Sequence, residues 1–196
     1  QILKLGGLEH FLTQKMSWSQ FNRFPYSTFR WRGIDGTEVL THFPPEDTYN
    51  SQLQPYDLQK TERNFVEKGV LDEMMCLFGV GDGGGGPTAE MIERGLRQKN
   101  LEGVPRVSFG RADQFFERIS EKTEELPVWS GELYLELHRG TLTTQARTKR
   151  NNRMLEQSLR ATEYFLSLGS LKDYPQQKLD KIWKTLLINQ FHDILR

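Results

Sequence analysis

Between Phe78 and Thr88 the chain reads Phe-Gly-Val-Gly-Asp-Gly-Gly-Gly-Gly-Pro-Thr, a run that no helix or strand interior can cross. Glycine loses more backbone freedom on ordering than any other residue and has no Cβ to pack, and the proline behind the glycines has no N–H to donate. Secondary structure must therefore stop before this run and resume after it. Met74 to Val80 reads as a short buried strand, and Pro87-Thr88-Ala89-Glu90 as a helix start with proline in its first turn. One acid, Asp82, is stranded among neighbours that let a ligand come close. That arrangement predicts Asp82 at the carboxyl end of a strand, where α/β folds keep their chemistry.

The flanking sequence repeats the alternation. Strand-like runs lie within residues 8–16 (Phe11-Leu12-Thr13) and 27–41 (Thr28 to Trp31), with Gly33-Ile34-Asp35-Gly36 as a tight hairpin turn. His42-Phe43-Pro44-Pro45 then opens a polar loop through Tyr49-Asn50-Ser51. Helices are expected over residues 55–69, Thr88 to Gln98 and Ala112 to Thr123, and further strands over Val104 to Phe109 and Val128 to Leu137. This order predicts an α/β fold with a largely parallel sheet, or a partial parallel β/α barrel.

After Thr144 the period changes. Leu155, Leu159, Thr162 and Leu166 recur at helical spacing up to Gly169-Ser170. Asp173-Tyr174-Pro175-Gln176 resembles a capping box, and Leu179, Ile182, Trp183, Leu186, Leu187, Phe191 and Ile194 form an apolar stripe beyond it. Residues 146–196 are thus expected to supply two helices of a helical bundle, after an α/β domain over residues 1–145.

Charge narrows the partners. Lys+Arg and Asp+Glu both number 26, which argues against an electrostatically held nucleic acid. Cys76 is the single cysteine, so no intrachain disulfide can form, and a cytoplasmic location is favoured. No stretch has the length and apolarity of a membrane span, and none resembles a signal peptide. The chain opens on Gln1 in an apolar run and stops inside a helical pattern, so both ends read as cut from something longer.

Several constellations compete for the chemistry. Gly79-x-Gly81-x-x-Gly84 matches a dinucleotide fingerprint, with Glu102 about twenty residues on, but four consecutive glycines satisfy almost any glycine pattern. No Walker lysine follows. Asp82 could instead be a turn aspartate that bonds backbone amides. On a helical wheel His192 points away from the apolar stripe, and Asp193 lies 100° round from it, so the two need not share a target. His10, His42 and His138 have no ligand spacing and read as polar or packing residues. Trp18, Trp31 and Trp129 read as core or cleft aromatics, and the basic run Arg147 to Arg150 as a solvated helix face.

Six segments together resemble glycoside hydrolase family 38, the α-mannosidases, in its cytosolic and bacterial branch. They are Thr13 to Trp18, Trp31 to Gly36, Thr41 to Pro45, Gly81 to Thr88, Gly131 to Thr141 and Asn189 to Leu195. The resemblance implies a retaining α-mannosidase acting on α-mannose-containing oligosaccharides, with a Zn2+ ion at the mouth of an α/β barrel and a helical bundle behind it. It matches Asp82 to the general acid/base, His192 to a zinc ligand, Asp193 to a residue contacting sugar hydroxyls, Tyr49 to an aromatic hydroxyl in the sugar subsite, and Lys15 to a substrate-binding basic residue near the nucleophile. It also allows a homo-oligomer. A retaining enzyme sets its two carboxyl groups roughly 5 Å apart. The family's nucleophilic aspartate and its His-x-Asp zinc pair have no counterpart here and are expected upstream of Gln1. The 196 residues alone are therefore expected to be inactive. The alternative is a remnant that binds sugar, or is purely structural, and has lost catalysis.

Overall fold

The computed structural model describes residues 1–195; Arg196, the last residue of the expected bundle domain, lies outside them. The chain divides into two compact units, one from Gln1 to Leu137 and one from His138 onward.

The first unit begins with α1 (Ile2–Leu5) and β1 (His10–Leu12). β2 (Thr28–Arg32) and β3 (Glu38–His42) form an antiparallel hairpin in which Arg30 faces Leu40. Its turn lies where the glycines predict it. Gly36 sits at φ +82°, and the Asp35 carboxylate accepts hydrogen bonds from the Thr37 amide (3.2 Å) and hydroxyl (2.7 Å). α2 (Pro55–Asn64), α3 (Ala89–Arg97), α4 (Ala112–Ser120) and β4 (Val128–Ser130) follow. α3 starts on Thr88, whose hydroxyl accepts from the Met91 amide at 3.2 Å, satisfying one of the amides a helix leaves unpaired at its start.

The sheet order is β1-β3-β2-β4, with β1–β3 and β2–β4 parallel. The expected α/β class is therefore present as a mixed sheet. A turn as short as residues 33–37 can only reverse the chain, whereas each parallel neighbour is reached by a long crossover. Three expected strands are shortened or lost. Residues 74–80 make a single bridge, Ser51 to Phe78, and residues 104–109 carry no regular structure. Gly131, at φ +132°, ends β4 well short of Leu137.

Two clusters form the core. Leu40 packs with Phe65, Leu71, Phe115, Phe116, Ile119 and Leu126, while Phe29 packs with Met16 and Phe43, backed by Phe11, Phe24 and Trp129. Phe29 pairs with Thr41 rather than Leu40, so the two clusters occupy opposite sheet faces. Each fully buried phenylalanine contributes about 2–3 kcal/mol.

His42, expected to be a packing residue, is fully buried at the end of β3. Its Nδ1 lies 2.8 Å from the Thr28 hydroxyl, its Nε2 accepts from the Met75 amide at 3.4 Å, and burial pushes its pKa down to about 3. The folded state thus holds the imidazole neutral while the unfolded state protonates it near 6.5. Stability from this group is complete above the unfolded value and is lost as pH falls toward the folded one. Buried Glu46 and Glu67 have raised pKa values and act in the opposite sense, but only near and above their unfolded value of 4.5. Between about pH 6.5 and pH 4.5 the imidazole alone is expected to cost roughly 2–3 kcal/mol, which the two carboxyls partly offset, so His42→Gln should lose less stability than the unaltered protein over this range, read from denaturant midpoints. Equal pH slopes in the variant and the unaltered protein would show that the imidazole is hydrated.

The second unit contains α5 (Ala146–Ser167) and α6 (Gln176–Ile188), packed through Leu159, Leu179 and Leu186. Trp183 Nε1 donates to Glu163 Oε1 across them at 2.7 Å. The expected capping box does not form. Asp173 belongs to a single 3₁₀ turn, Leu171–Asp173, capped by the Ser170 hydroxyl, and Pro175 takes the position before α6. Nor does α6 reach His192; it ends at Ile188, and turns follow. No helix among the described residues is long and apolar enough to cross a membrane.

Candidate active site

Two loops of the first unit build the site. One descends from β3 through Phe43-Pro44-Pro45 to Ser51; the other is the glycine run after Phe78. They are joined by the Ser51–Phe78 bridge, in which the Ser51 amide donates to Leu77 O (3.2 Å) and the Gly79 amide to Ser51 O (3.5 Å). Immediately beyond, Asn50 Oδ1 accepts from the Gly81 amide at 2.6 Å.

Gly81 is needed there for space. A Cβ at this position would lie 2.5 Å from Tyr49 Cδ2 and 2.9 Å from Asn50 Oδ1, closer than any real Cβ contact. The next residue, Asp82, takes φ +59°, a left-handed conformation that costs an L-residue about 1–2 kcal/mol. Asp82 thus does not stand at the end of a regular strand, as the sequence suggests, but in an exposed turn after one bridge.

The turn brings the Asp82 carboxylate onto the Tyr49 hydroxyl, which donates to it. Desolvation, then the Asp82 charge, then this hydrogen bond raise the Tyr49 phenol above its ordinary pKa. Each disfavours the phenolate, so Tyr49 stays a proton donor to the carboxylate. Lys15 lies over the ring. Its Nζ is 3.7 Å from the Trp18 ring centroid and 5.3 Å from that of Tyr49, within cation–π range of both. Lys15, Tyr49 and Asp82, which come from three separate segments, therefore meet in one patch with Trp18 as an aromatic wall. The chemistry available is a solvent-accessible carboxyl, a hydroxyl that orients it, and a fixed positive charge.

The same two segments carry a buried pair that the spacing does not reveal. Glu46 is 2% exposed, and its Oε2 accepts from the Cys76 thiol at 2.8 Å. Burial pushes the thiol up to about 12, helped by the Glu46 charge and hydrogen bond, and burial likewise raises Glu46. A thiol so poorly ionised is no nucleophile at neutral pH. It ties the segment carrying Tyr49 to the segment leading into Asp82. Asn50, Gly81, Glu46 and Cys76 all escape sequence reasoning, because their roles depend on which loop lies beside which.

The glycine fingerprint fails its structural requirement. Pro87 and Thr88 separate Gly84 from α3, so no glycine opens the helix toward a pyrophosphate.

In the second unit His192 and Asp193 lie in the turns after α6. Because the helix has ended, they are not held 100° apart. His192 Nε2 lies 3.5 Å from Asp193 Oδ1, with side chains 79% and 50% exposed, and the imidazole packs on Phe191 at 4.4 Å between centroids. One imidazole beside one carboxylate has donor chemistry suited to zinc. A closed site needs more, and no group of three His, Cys, Asp or Glu among the described residues could hold a metal.

Residues 1–132 match the sequence model of the glycosyl hydrolases family 38 N-terminal domain, and residues 136–196 that of the alpha mannosidase middle domain. Over its whole length the chain is 47% identical to Alpha-mannosidase G of Dictyostelium discoideum. It is likewise 44% identical to Alpha-mannosidase 2C1 of Homo sapiens and 39% identical to Alpha-mannosidase of Saccharomyces cerevisiae. The match covers 18% of the first relative and 19% of each of the other two, so the chain spans about a fifth of their length.

Proposed function

The chain belongs to glycosyl hydrolase family 38, and we propose that it forms part of the active centre of a retaining, zinc-dependent α-mannosidase. The observation that carries this reading is the convergence of Asp82, Tyr49 and Lys15 on one exposed patch in the family's N-terminal domain. The four-strand sheet is one sector of a β/α barrel whose remaining strands lie elsewhere in the protein. The substrate is an oligosaccharide ending in an α-linked mannose, and the location is cytoplasmic, in keeping with Cys76 as a free thiol.

In this mechanism Asp82 protonates the glycosidic oxygen as the bond to the leaving sugar breaks. A second carboxylate, outside these residues, attacks the anomeric carbon from the opposite face. Asp82, now ionised, then takes a proton from the water that releases mannose. Tyr49 holds the carboxyl in the orientation both transfers need. Lys15 stabilises negative charge in the patch, and Trp18 offers an apolar face against which a sugar ring can pack. In the second unit, taken by itself, His192 would be one ligand of the zinc ion and Asp193 would be a partner for sugar hydroxyls. The ion, when bound, supplies a template for those hydroxyls. The described residues do not complete its site, and no step above depends on it.

Proton NMR of the first product tests the reading. The full-length protein is expected to release mannose first as the α-anomer, and the 196 residues alone to give no turnover of an aryl α-mannoside. The β-anomer as first product would overturn the retaining mechanism. Turnover by the isolated chain would show that the second carboxylate is already present.

A further inference from the structure

The glycine run is poorly tied to the rest of its unit. Gly85 donates back to Val80 O at 3.0 Å, which closes the turn on itself without anchoring it. Gly83 to Gly86 are exposed, and glycines impose little conformational preference of their own. Yet Asp82 must hold a left-handed φ of +59° to reach Tyr49. Something outside the run has to hold it there.

The geometry points to Asn50 as the positioning residue of the site: its side-chain carbonyl fixes the Gly81 amide, and with it the turn that lays the Asp82 carboxylate on the Tyr49 hydroxyl. The Asn50 Oδ1 to Gly81 N distance is 2.6 Å, spanning 31 residues of sequence. Asn50 is itself held on both sides. Its amide donates to the Thr48 hydroxyl at 3.0 Å, and its neighbour Ser51 pairs with the strand-like segment at Phe78. Tyr49 and Asn50 are consecutive, so one short stretch delivers both the hydroxyl that meets Asp82 and the acceptor that fixes the preceding amide. Gly81 completes the fit, because only a residue without Cβ leaves room for the Tyr49 ring and the Asn50 carbonyl together. An amide is also the right chemistry. It accepts the hydrogen bond without placing a second full negative charge beside Asp82.

This inference rests on the proposed function for its effect on rate, but not for its effect on structure, and the test separates the two. In the full-length protein, Asn50→Ala removes the acceptor and Asn50→Asp keeps it. Hydrogen–deuterium exchange of the peptide spanning the glycine run is expected to quicken in Asn50→Ala and to return to the original rate in Asn50→Asp. With an aryl α-mannoside as probe, kcat for Asn50→Ala is expected to fall about 10–100-fold with KM nearly unchanged, because the carboxyl is misplaced rather than the sugar released. Unchanged exchange in Asn50→Ala, or slowed turnover through KM alone, would overturn the positioning role. Altered exchange in a protein that hydrolyses no α-mannoside even unmodified would leave Asn50 as the anchor and overturn the proposed reaction. Should Asn50→Ala fail to fold, Asn50→Ser decides, since its hydroxyl is too short to reach the Gly81 amide and unchanged exchange in the folded variant refutes the anchor.

Discussion

Replacing Asp82 by Asn in the full-length protein is expected to lower kcat/KM for an alkyl α-mannoside by about 10²–10⁴-fold, the usual share of a positioned proton donor. Substrates differing in leaving group should reveal why. A poor leaving group needs its oxygen protonated as the bond breaks, whereas a dinitrophenolate leaves unaided, so its first step should slow far less. The second step still lacks a base to activate water. A burst of dinitrophenol followed by slow steady turnover is therefore expected, because the mannosyl-enzyme accumulates. Equal loss for both substrates with no burst would remove Asp82 from the acid/base role. The Asn side chain can still accept from Tyr49, so the variant should change proton transfer with little effect on the turn.

Gly81→Ala is expected to be nearly as damaging by an entirely different route. The new methyl would meet Tyr49 Cδ2 at 2.5 Å and Cε2 at 2.8 Å, with Asn50 Oδ1 at 2.9 Å. The ring cannot yield without leaving Asp82, and the carbonyl cannot yield without releasing the Gly81 amide. Whichever moves, the carboxyl shifts by an ångström or so, and a displacement of that size costs on the order of 10²-fold in rate. The loss should again be heavier for the alkyl mannoside than for the dinitrophenyl one, but accompanied by faster hydrogen exchange in the glycine run, which distinguishes it from Asp82→Asn. Global stability should change little, because the Asp82 turn is exposed and belongs to neither core cluster. Full activity in Gly81→Ala would mean that the loops part easily and that the Tyr49–Asp82 contact is dispensable.

These two predictions draw on information of different kinds. That an acid is isolated among glycines can be read directly, since Gly79, Gly81 and Gly83 to Gly86 bracket Asp82 in the chain. The hairpin at Gly33 to Gly36, the Thr88 start of α3 and the apolar stripes of α5 and α6 are equally legible, because each depends on residues a few places apart. The resemblance to a glycosidase family, carried by short ordered segments, is borne out by the comparisons.

Residues 74–80 illustrate the opposite case. Their apolar pattern suits a buried strand, yet they make one bridge to Ser51, because pairing requires a neighbour in register and the adjacent chain turns away after it. His192 is another. The apolar stripe continues to Ile194, so periodicity alone extends α6 through it, but the helix stops at Ile188 and frees His192 and Asp193 to face each other.

What the sequence determined by itself, then, is where elements must break, which carboxyl stands apart, and that balanced charge leaves no strong field for nucleic acid. What only the tertiary structure decided is the company Asp82 keeps: Tyr49 as its hydroxyl, Lys15 over that ring, and Asn50 on the amide before it. Local preference acts over about four residues, along a turn of helix or across a tight bend. Contacts between loops 31 residues apart exist only once both sheet faces have packed, and that packing sets which backbone amide meets which side chain.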